Sequence, residues 1–170
     1  MKLIFLLSTV ILVSGLSGCL KDSPSVDFSS VQTIIEISPP YAGLEYFDKA
    51  ALTFDSGAVQ SNHQFVVNIA SPKTLSATLT ITMGIDDSSR VAYNNANKTI
   101  YEALPDTGYS FPKLTGNIPA GARLDTFQIV FYPGKLDMTK SYMLPVSITY
   151  AQGKLISGNF HTIYYHTTAQ

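Results

Sequence analysis

Few residues in this 170-residue chain could carry out nucleophilic, acid–base or metal chemistry. There is one cysteine, Cys19, and there are three histidines, His63, His161 and His166. His161 and His166 are five residues apart in a strand-like segment, so we expect them on opposite faces, which disfavours a shared metal site. His63 lies among polar residues and is expected in a solvated turn. The sequence also lacks the usual phosphate-binding loops and the Gly-x-Ser-x-Gly elbow of many hydrolases.

Oxygen-bearing side chains are concentrated between residues 86 and 97, where Asp86 and Asp87 precede three asparagines. Calcium prefers oxygen ligands, but this order matches no EF-hand loop. Asp86 or Asp87 suits the N-cap of a short helix, because a carboxylate accepts hydrogen bonds from the free N–H groups of the first turn. The sequence therefore predicts no catalytic residue, no metal site and no cofactor.

Cys19 has a specific chemical context at the start of the chain. Lys2 precedes an apolar run over residues 3–16, which is the layout of an export signal and is shorter than the roughly 20 apolar residues that span a bilayer. The following Leu16-Ser17-Gly18-Cys19 resembles the bacterial lipobox, in which the thiol accepts a diacylglycerol and small neighbours admit the signal peptidase. We predict a signal peptide over residues 1–18, lipidation of Cys19 and a tether over residues 19–27.

The anchor predicts attachment to the cell envelope, at the outer membrane and with surface exposure as one alternative. With no second cysteine there is no intramolecular disulfide, so the fold depends on its own hydrophobic core. The 11 basic and 12 acidic residues nearly balance, which argues against a nucleic-acid partner. Residues 28–170 are long enough for one domain of ordinary size.

Apolar and polar residues alternate along much of this domain, as in half-buried strands. The clearest runs cover residues 74–84, with a threonine-rich outer face, and residues 142–150. Further strands are predicted over residues 31–37, 50–54, 64–70, 125–132 and 160–167. Pro145 cannot donate to a ladder, so the strand over residues 142–150 is expected at an edge or with a bulge there. Gln152-Gly153 is expected to form a hairpin turn.

About seven short strands with one short helix indicate an all-β fold, an immunoglobulin-like antiparallel β-sandwich. The Cys-Trp-Cys pattern of antibody domains is absent, so the sequence leaves the topology open.

Several segments occur in the order of a known family. They include Leu104-Pro105 with Tyr109, the Ile118–Gly121 turn, and Tyr142-Met143-Leu144-Pro145-Val146. Over residues 28–168 the chain resembles a domain of unknown function near the N-terminus of Bacteroidetes surface lipoproteins, including some glycosidase-like proteins of family 18. The resemblance implies an immunoglobulin-like module between a lipid anchor and a functional domain. A family 18 glycosidase needs a barrel of about 250 residues, so its hydrolytic activity does not carry over.

Residues 39–47 form the strongest candidate ligand-binding loop. Tyr41, Tyr46 and Phe47 could stack on sugar rings while Glu45 accepts hydrogen bonds from hydroxyl groups. The alternative is that these aromatic residues cap one end of the core.

The sequence thus favours a non-catalytic envelope lipoprotein whose domain binds a glycan or serves as a structural or adhesive module. Its expected partners are the membrane, through the lipid, and a glycan or surface protein. One alternative is a pilus or surface-assembly subunit that acts by strand addition, with residues 31–37 as the donated strand. An enzyme of unknown type is the third class.

Overall fold

Two β-sheets pack face to face and enclose the hydrophobic core. The computed structural model describes residues 30–39, 41–55 and 57–169. The predicted signal peptide, Cys19 and the tether therefore lie outside the described residues. The first sheet has the order β5 (Tyr109–Ser110), β7 (Leu124–Phe131), β2 (Ser61–Ala70), β1 (Ile34–Ile37) and β9 (Leu155–Ile156). The second has the order β10 (Thr162–His166), β8 (Tyr142–Tyr150), β3 (Leu79–Ile85) and β6 (Thr115–Ile118), with β4 (Glu102–Ala103) paired beside β8. The predicted all-β sandwich is confirmed.

The strands of the first sheet run antiparallel, except that β9 runs parallel to β1. In the second sheet the parallel pair is β4 with β8.

The core consists of the inward-facing residues of both sheets. Phe65, Phe127 and Phe131 are its largest fully buried side chains, and Ile35, Ile81 and Val146 are also fully buried. Burying a side chain of this size contributes about 1.5–3 kcal/mol. Among the described residues, the core residues lie between Ile35 and Tyr165, within the compact unit formed by residues 31–170.

One α-helix, α1 (Asp87–Asn97), follows β3 directly. Asp86 is its N-cap and accepts a hydrogen bond from the Ser89 N–H, as the sequence predicted. The helix ends at Lys98, which has a left-handed backbone with φ 54°. In the part of the chain that the structure describes, three 3₁₀ helices complete the regular structure: η1 Leu44–Ala50, η2 Asp106–Gly108 and η3 Pro133–Lys135. Within the described residues, no helix combines the length and the apolar character that crossing a membrane requires.

The outer face of β10 is covered, in contrast to a sheet that faces water. Ile163 and Tyr165 point into the core, so Thr162, Tyr164 and His166 lie on the other face. The Phe47 ring of η1 stacks on His166 on this face at 3.7 Å between centroids. The segment around η1 also covers the edge of β10, with hydrogen bonds from the Gly43 N–H to the Thr162 carbonyl and from the Leu52 N–H to the His166 carbonyl. Burial on both faces explains why this strand is rich in aromatic and β-branched residues throughout.

Several local predictions were wrong. In place of the predicted strand over residues 50–54, η1 ends at Ala50 and a single bridge from Ala51 to His166 follows. The run over residues 74–84 is a strand only from Leu79 onward. Gln152-Gly153 does form a turn, but it leads to β9 in the other sheet and closes no hairpin. Four strands, β4, β5, β6 and β9, were not predicted because each has only two to four residues.

The edge position predicted for β8 was also wrong, since β10 and β3 flank it on both sides. The Pro145 carbonyl accepts from the Asp86 N–H, and the N and O of one strand residue point the same way. The proline nitrogen therefore faces the residues between the end of β3 and the helix that follows it. The β3–β8 pairing needs no N–H donor at that position, so the proline removes no hydrogen bond from it. The register shift in this pairing lies instead at Thr82/Met83. There Tyr150 pairs with Thr82 and is 51% exposed, so it does not share the buried face predicted for it.

Candidate functional site

An open cleft of about 320 Å³ lies where η1 begins beside the segment that enters β10. We call it the Glu45 cleft. Glu45 and Leu44 come from one wall, and Asn159, His161 and Tyr164 come from the other. One member of the predicted ligand loop, Glu45, therefore lines a cavity with residues far away in sequence.

Gly43 brings the two walls together. Its φ of 87° lies in the region that favours glycine, and a Cβ there would lie 3.2 Å from the Asn159 carbonyl oxygen and 3.3 Å from Phe160 Cδ1. The Gly43 N–H also donates to the Thr162 carbonyl at 3.0 Å. The opposite wall is fixed to β1, because the Ile37 N–H donates to the Phe160 carbonyl at 2.7 Å. The cleft is thus held by backbone contacts on both sides.

The polar groups of the cleft can both accept and donate hydrogen bonds. Glu45 and Asn159 are exposed. His161 is half-buried, and its Nδ1 atom is buried without a hydrogen-bond partner in the structure. A carboxylate accepts, an amide does both, and an imidazole offers one donor and one acceptor when neutral. This set matches the alternating donors and acceptors of a ligand rich in hydroxyl groups.

Tyr164 supplies the aromatic surface of the cleft and links it to a second feature. Its ring is half-buried and lies 5.8 Å from the Tyr93 ring, centroid to centroid. Burial raises the pKa of the Tyr164 hydroxyl; hydrogen bonding to Ser89 opposes this, and the Asp86 charge adds to it. The phenol therefore stays protonated at neutral pH and can donate a hydrogen bond.

An aromatic cluster lies behind the cleft, between η1, α1 and β10. Its members are Phe47, Tyr93, Tyr101, Tyr164 and His166. Phe47 is central: its ring stacks on His166 at 3.7 Å and on Tyr93 at 4.7 Å. Burial raises the pKa of Tyr93 and of Tyr101, and the nearby Asp48 carboxylate raises both further.

His166 is 5% exposed and binds to η1 through its ring. Its Nε2 lies 3.1 Å from the Phe47 carbonyl oxygen, so a proton on Nε2 makes this a hydrogen bond. Nδ1 is buried without a partner. Burial lowers the pKa of His166, although the Phe47 carbonyl and the Asp48 charge oppose the shift. The neutral ring therefore fits this environment best.

The structure separates the four predicted ligand residues. Glu45 lines the cleft, whereas Phe47 belongs to the aromatic cluster and corresponds to the packing alternative. Tyr46 is half-buried, with the Lys49 Nζ over its ring at 5.1 Å from the centroid. Tyr41 is 43% exposed and lies near Tyr165, whose pKa is raised by burial and secondarily by Tyr41. A ligand role for these residues stays a prediction.

Sequence reasoning missed the second wall of the cleft, Asn159, His161 and Tyr164. Residues 160–167 were interpreted as a strand whose two histidines do not share a metal, and no ligand role was assigned to them, although Gly158-Asn159 is a turn signal. The position of His63 was also predicted wrongly. It lies in β2, edge-on to Phe131 and to Tyr165 with ring centroids 5.3 Å and 5.8 Å apart, and burial lowers its pKa.

A larger cleft of about 590 Å³ is lined on one side by Phe54, Asp55, Gly57, Ala58 and Val59, and on the other by Tyr132, Pro133, Gly134, Lys135 and Met138. We call it the Val59 cleft. Its lining is mostly apolar, with Asp55 and Lys135 as the charged residues. Among the described residues, no group of three His, Cys, Asp or Glu side chains could hold a metal ion.

Comparison with solved structures identifies the same sandwich in proteins of Bacteroides. A candidate carbohydrate-binding protein of Bacteroides ovatus matches with a TM-score of 0.60 and 16% identity, over 70% of this chain and 34% of its own. A multidomain protein including DUF1735, also from Bacteroides ovatus, matches with a TM-score of 0.57 and 19% identity, over 73% of this chain and 43% of its own. EndoBT-3987 of Bacteroides thetaiotamicron matches with a TM-score of 0.54 and 15% identity, over 79% of this chain and 30% of its own.

These similarities establish the fold, and the chain spans about a third to under half of each of these solved proteins. No curated protein matches the sequence significantly. A family model that describes an N-terminal domain matches residues 41–155, more than half of the chain. The resemblance to an N-terminal domain of unknown function is therefore confirmed, and the chain belongs to this family of N-terminal domains.

Proposed function

We propose that the chain is a non-catalytic, lipid-anchored module of the cell envelope that binds a glycan in the Glu45 cleft. The observation that carries the proposal is the combination of an exposed carboxylate, an exposed amide and the Tyr164 ring in one open cleft. Sugar rings present apolar faces that stack on aromatic rings and hydroxyl groups that bind carboxylates and amides. A volume of about 320 Å³ is at the lower end of the range of small-ligand sites.

Two of the structural neighbours support this ligand class. One is described as a candidate carbohydrate-binding protein, and EndoBT-3987 was solved with a Man5GlcNAc product. Strand addition, the alternative, has less support. The edge of β10 is covered by the segment around η1, and the remaining edge strands of the described residues, β4, β5, β6 and β9, have two to four residues each.

The binding proposal is tested on a glycan array with residues 20–170, followed by titration calorimetry with the best glycan. Glu45→Gln removes the charge while keeping the shape, and it should weaken binding by about 10-fold or more, since a hydrogen bond to a charged group contributes about 1.5–3 kcal/mol. Asn159→Ala should weaken binding as well. Glu102→Gln is the matched control, because Glu102 is an exposed acid outside the cleft that pairs with Lys140 at 2.9 Å.

A folded protein that binds no glycan on the array would refute glycan binding. Binding that persists unchanged in Glu45→Gln and Asn159→Ala would refute the position of the site. The anchor is tested separately by labelling cells with a radioactive fatty acid. Cys19→Ala should abolish the label, and a variant that stays labelled would contradict the lipoprotein proposal.

A further inference from the structure

We infer that the Val59 cleft is the interface of a symmetric homodimer, an assembly independent of the proposed glycan binding. The cleft consists of an apolar groove with an exposed apolar side chain beside it. Phe54 and Met138 are half-buried in the groove and pack against the core, whereas Val59 is 84% exposed at its side. An aliphatic side chain this exposed beside an apolar groove gains free energy when it is buried against a partner surface.

The acidic and basic residues at the rim of the cleft can pair with the basic and acidic residues of the same rim in a second copy. Asp55 and Lys135 are both exposed, and they line the cleft from its two sides. The ion pairs among the described residues are Arg90–Asp87, Lys113–Asp125 and Lys140–Glu102, so Asp55 and Lys135 are unpaired within that part of the chain. Because neither side chain has an ion-pair partner there, each is available to an outside partner.

A two-fold axis between two copies would bury the exposed Val59 and pair the charged rim residues in one arrangement. In an interface related by such an axis, a contact between two residues occurs twice with the roles of the copies exchanged. Asp55 of one copy then meets Lys135 of the other at both ends, while each Val59 enters the facing groove. A single acid and a single base on opposite walls favour this occupant over a strongly charged partner, which would need one sign of charge.

Two residues that line the cleft are held by contacts within the sandwich. Phe54 lies 6.4 Å from the fully buried Phe131, centroid to centroid, and the Tyr132 hydroxyl is 3.0 Å from the Ser110 hydroxyl. Phe54 is therefore anchored to the core and Tyr132 to β5. A preformed groove reduces the ordering cost of association.

The test is sedimentation velocity with residues 20–170. Protein concentrations over about two orders of magnitude allow a tenfold increase or a tenfold decrease in the dissociation constant to be measured. We expect a reversible monomer–dimer equilibrium. Val59→Asp should weaken the dimer at least about tenfold, because it places a charge in the apolar groove of both copies. Ile100→Asp is the matched control, since Ile100 is 88% exposed in a loop away from the cleft, and it should leave the dissociation constant unchanged.

Exchanging the charges of Asp55 and Lys135 tests whether these two residues pair across the interface. Lys135→Glu should weaken the dimer by up to about tenfold, because two like-charge contacts replace two ion pairs. Adding Asp55→Lys to that variant should restore most of the affinity, since the pairs are re-formed with reversed sign. A chain that is monomeric at every concentration would overturn the inference, and so would a dimer that Val59→Asp and Lys135→Glu leave intact. Circular dichroism of each variant separates loss of the dimer from loss of the fold.

Discussion

Replacing Phe47 with alanine tests whether this side chain stabilises the fold or binds a ligand. Its ring stacks on His166 at 3.7 Å and on Tyr93 at 4.7 Å, and it meets Tyr101 edge-on at 6.0 Å. Truncating a fully buried phenylalanine costs about 3–5 kcal/mol. Phe47 is half-buried, so we expect Phe47→Ala to lower the free energy of unfolding by about 2 kcal/mol, including the lost aromatic pairs.

Urea denaturation followed by tyrosine fluorescence measures this loss, and thermal unfolding should show a midpoint roughly 6–10 °C lower. Tyr41→Ala is the control from the same loop; Tyr41 is 43% exposed, and its replacement should change stability by no more than about 0.5 kcal/mol. If Phe47→Ala unfolds like the parent protein but no longer binds a glycan, the packing role inferred from the aromatic cluster is incorrect.

Three further predictions concern the fold. Gly116→Ala should destabilise the sandwich by about 1–3 kcal/mol, because the new Cβ would lie 2.5 Å from Phe127 Cζ and against the Asp125 carboxylate; Gly134→Ala, where nothing lies within 4 Å, is the control in the same urea assay. Asp86→Ala should cost about 1 kcal/mol and speed hydrogen exchange in α1, since it removes the N-cap acceptor of Ser89 N–H; equal exchange in both proteins would contradict the cap. Burial lowers the pKa of His63 and His166, so the unfolded chain binds protons first as the pH falls below about 6.5. Their contribution to stability is therefore present above that pH and is lost as the pH falls toward the folded pKa values, by at most about 1.4 kcal/mol per pH unit for each histidine. Urea midpoints at several pH values measure this slope, which His166→Gln should reduce; an unchanged slope would exclude His166 as its source.

The sequence predicted best those elements whose signal is local and regular. β8 was predicted over residues 142–150, where it occurs, because apolar residues alternate through its whole length. The helix after Asp86 was predicted because its cap needs only neighbours within one turn. Strands of two residues, such as β4 and β9, leave no periodicity in the sequence and depend on partners far along the chain.

Strand position was harder to predict than strand existence. Pro145 suggested an edge, but which side of β8 its nitrogen faces depends on where β3 ends beside it. The segment over residues 50–54 has strand-like alternation, yet η1 continues to Ala50, and the chain then joins β10 through the Ala51–His166 bridge and the hydrogen bond from the Leu52 N–H to the His166 carbonyl. In both cases a long-range backbone contact outweighed the local pattern.

The sequence by itself determined the all-β class, the domain without disulfides, the helix cap and the family resemblance, because these depend on composition, periodicity and short motifs. The tertiary structure decided the candidate site. Glu45 was chosen from the sequence for its aromatic neighbours, but the structure turns Phe47 toward His166 and brings Asn159 and Tyr164 to Glu45 instead. Those residues are more than 100 positions away, and they meet because Gly43 lets η1 approach the segment before β10. Contacts of that range follow from how the strands pair and pack, which the local order of residues does not encode.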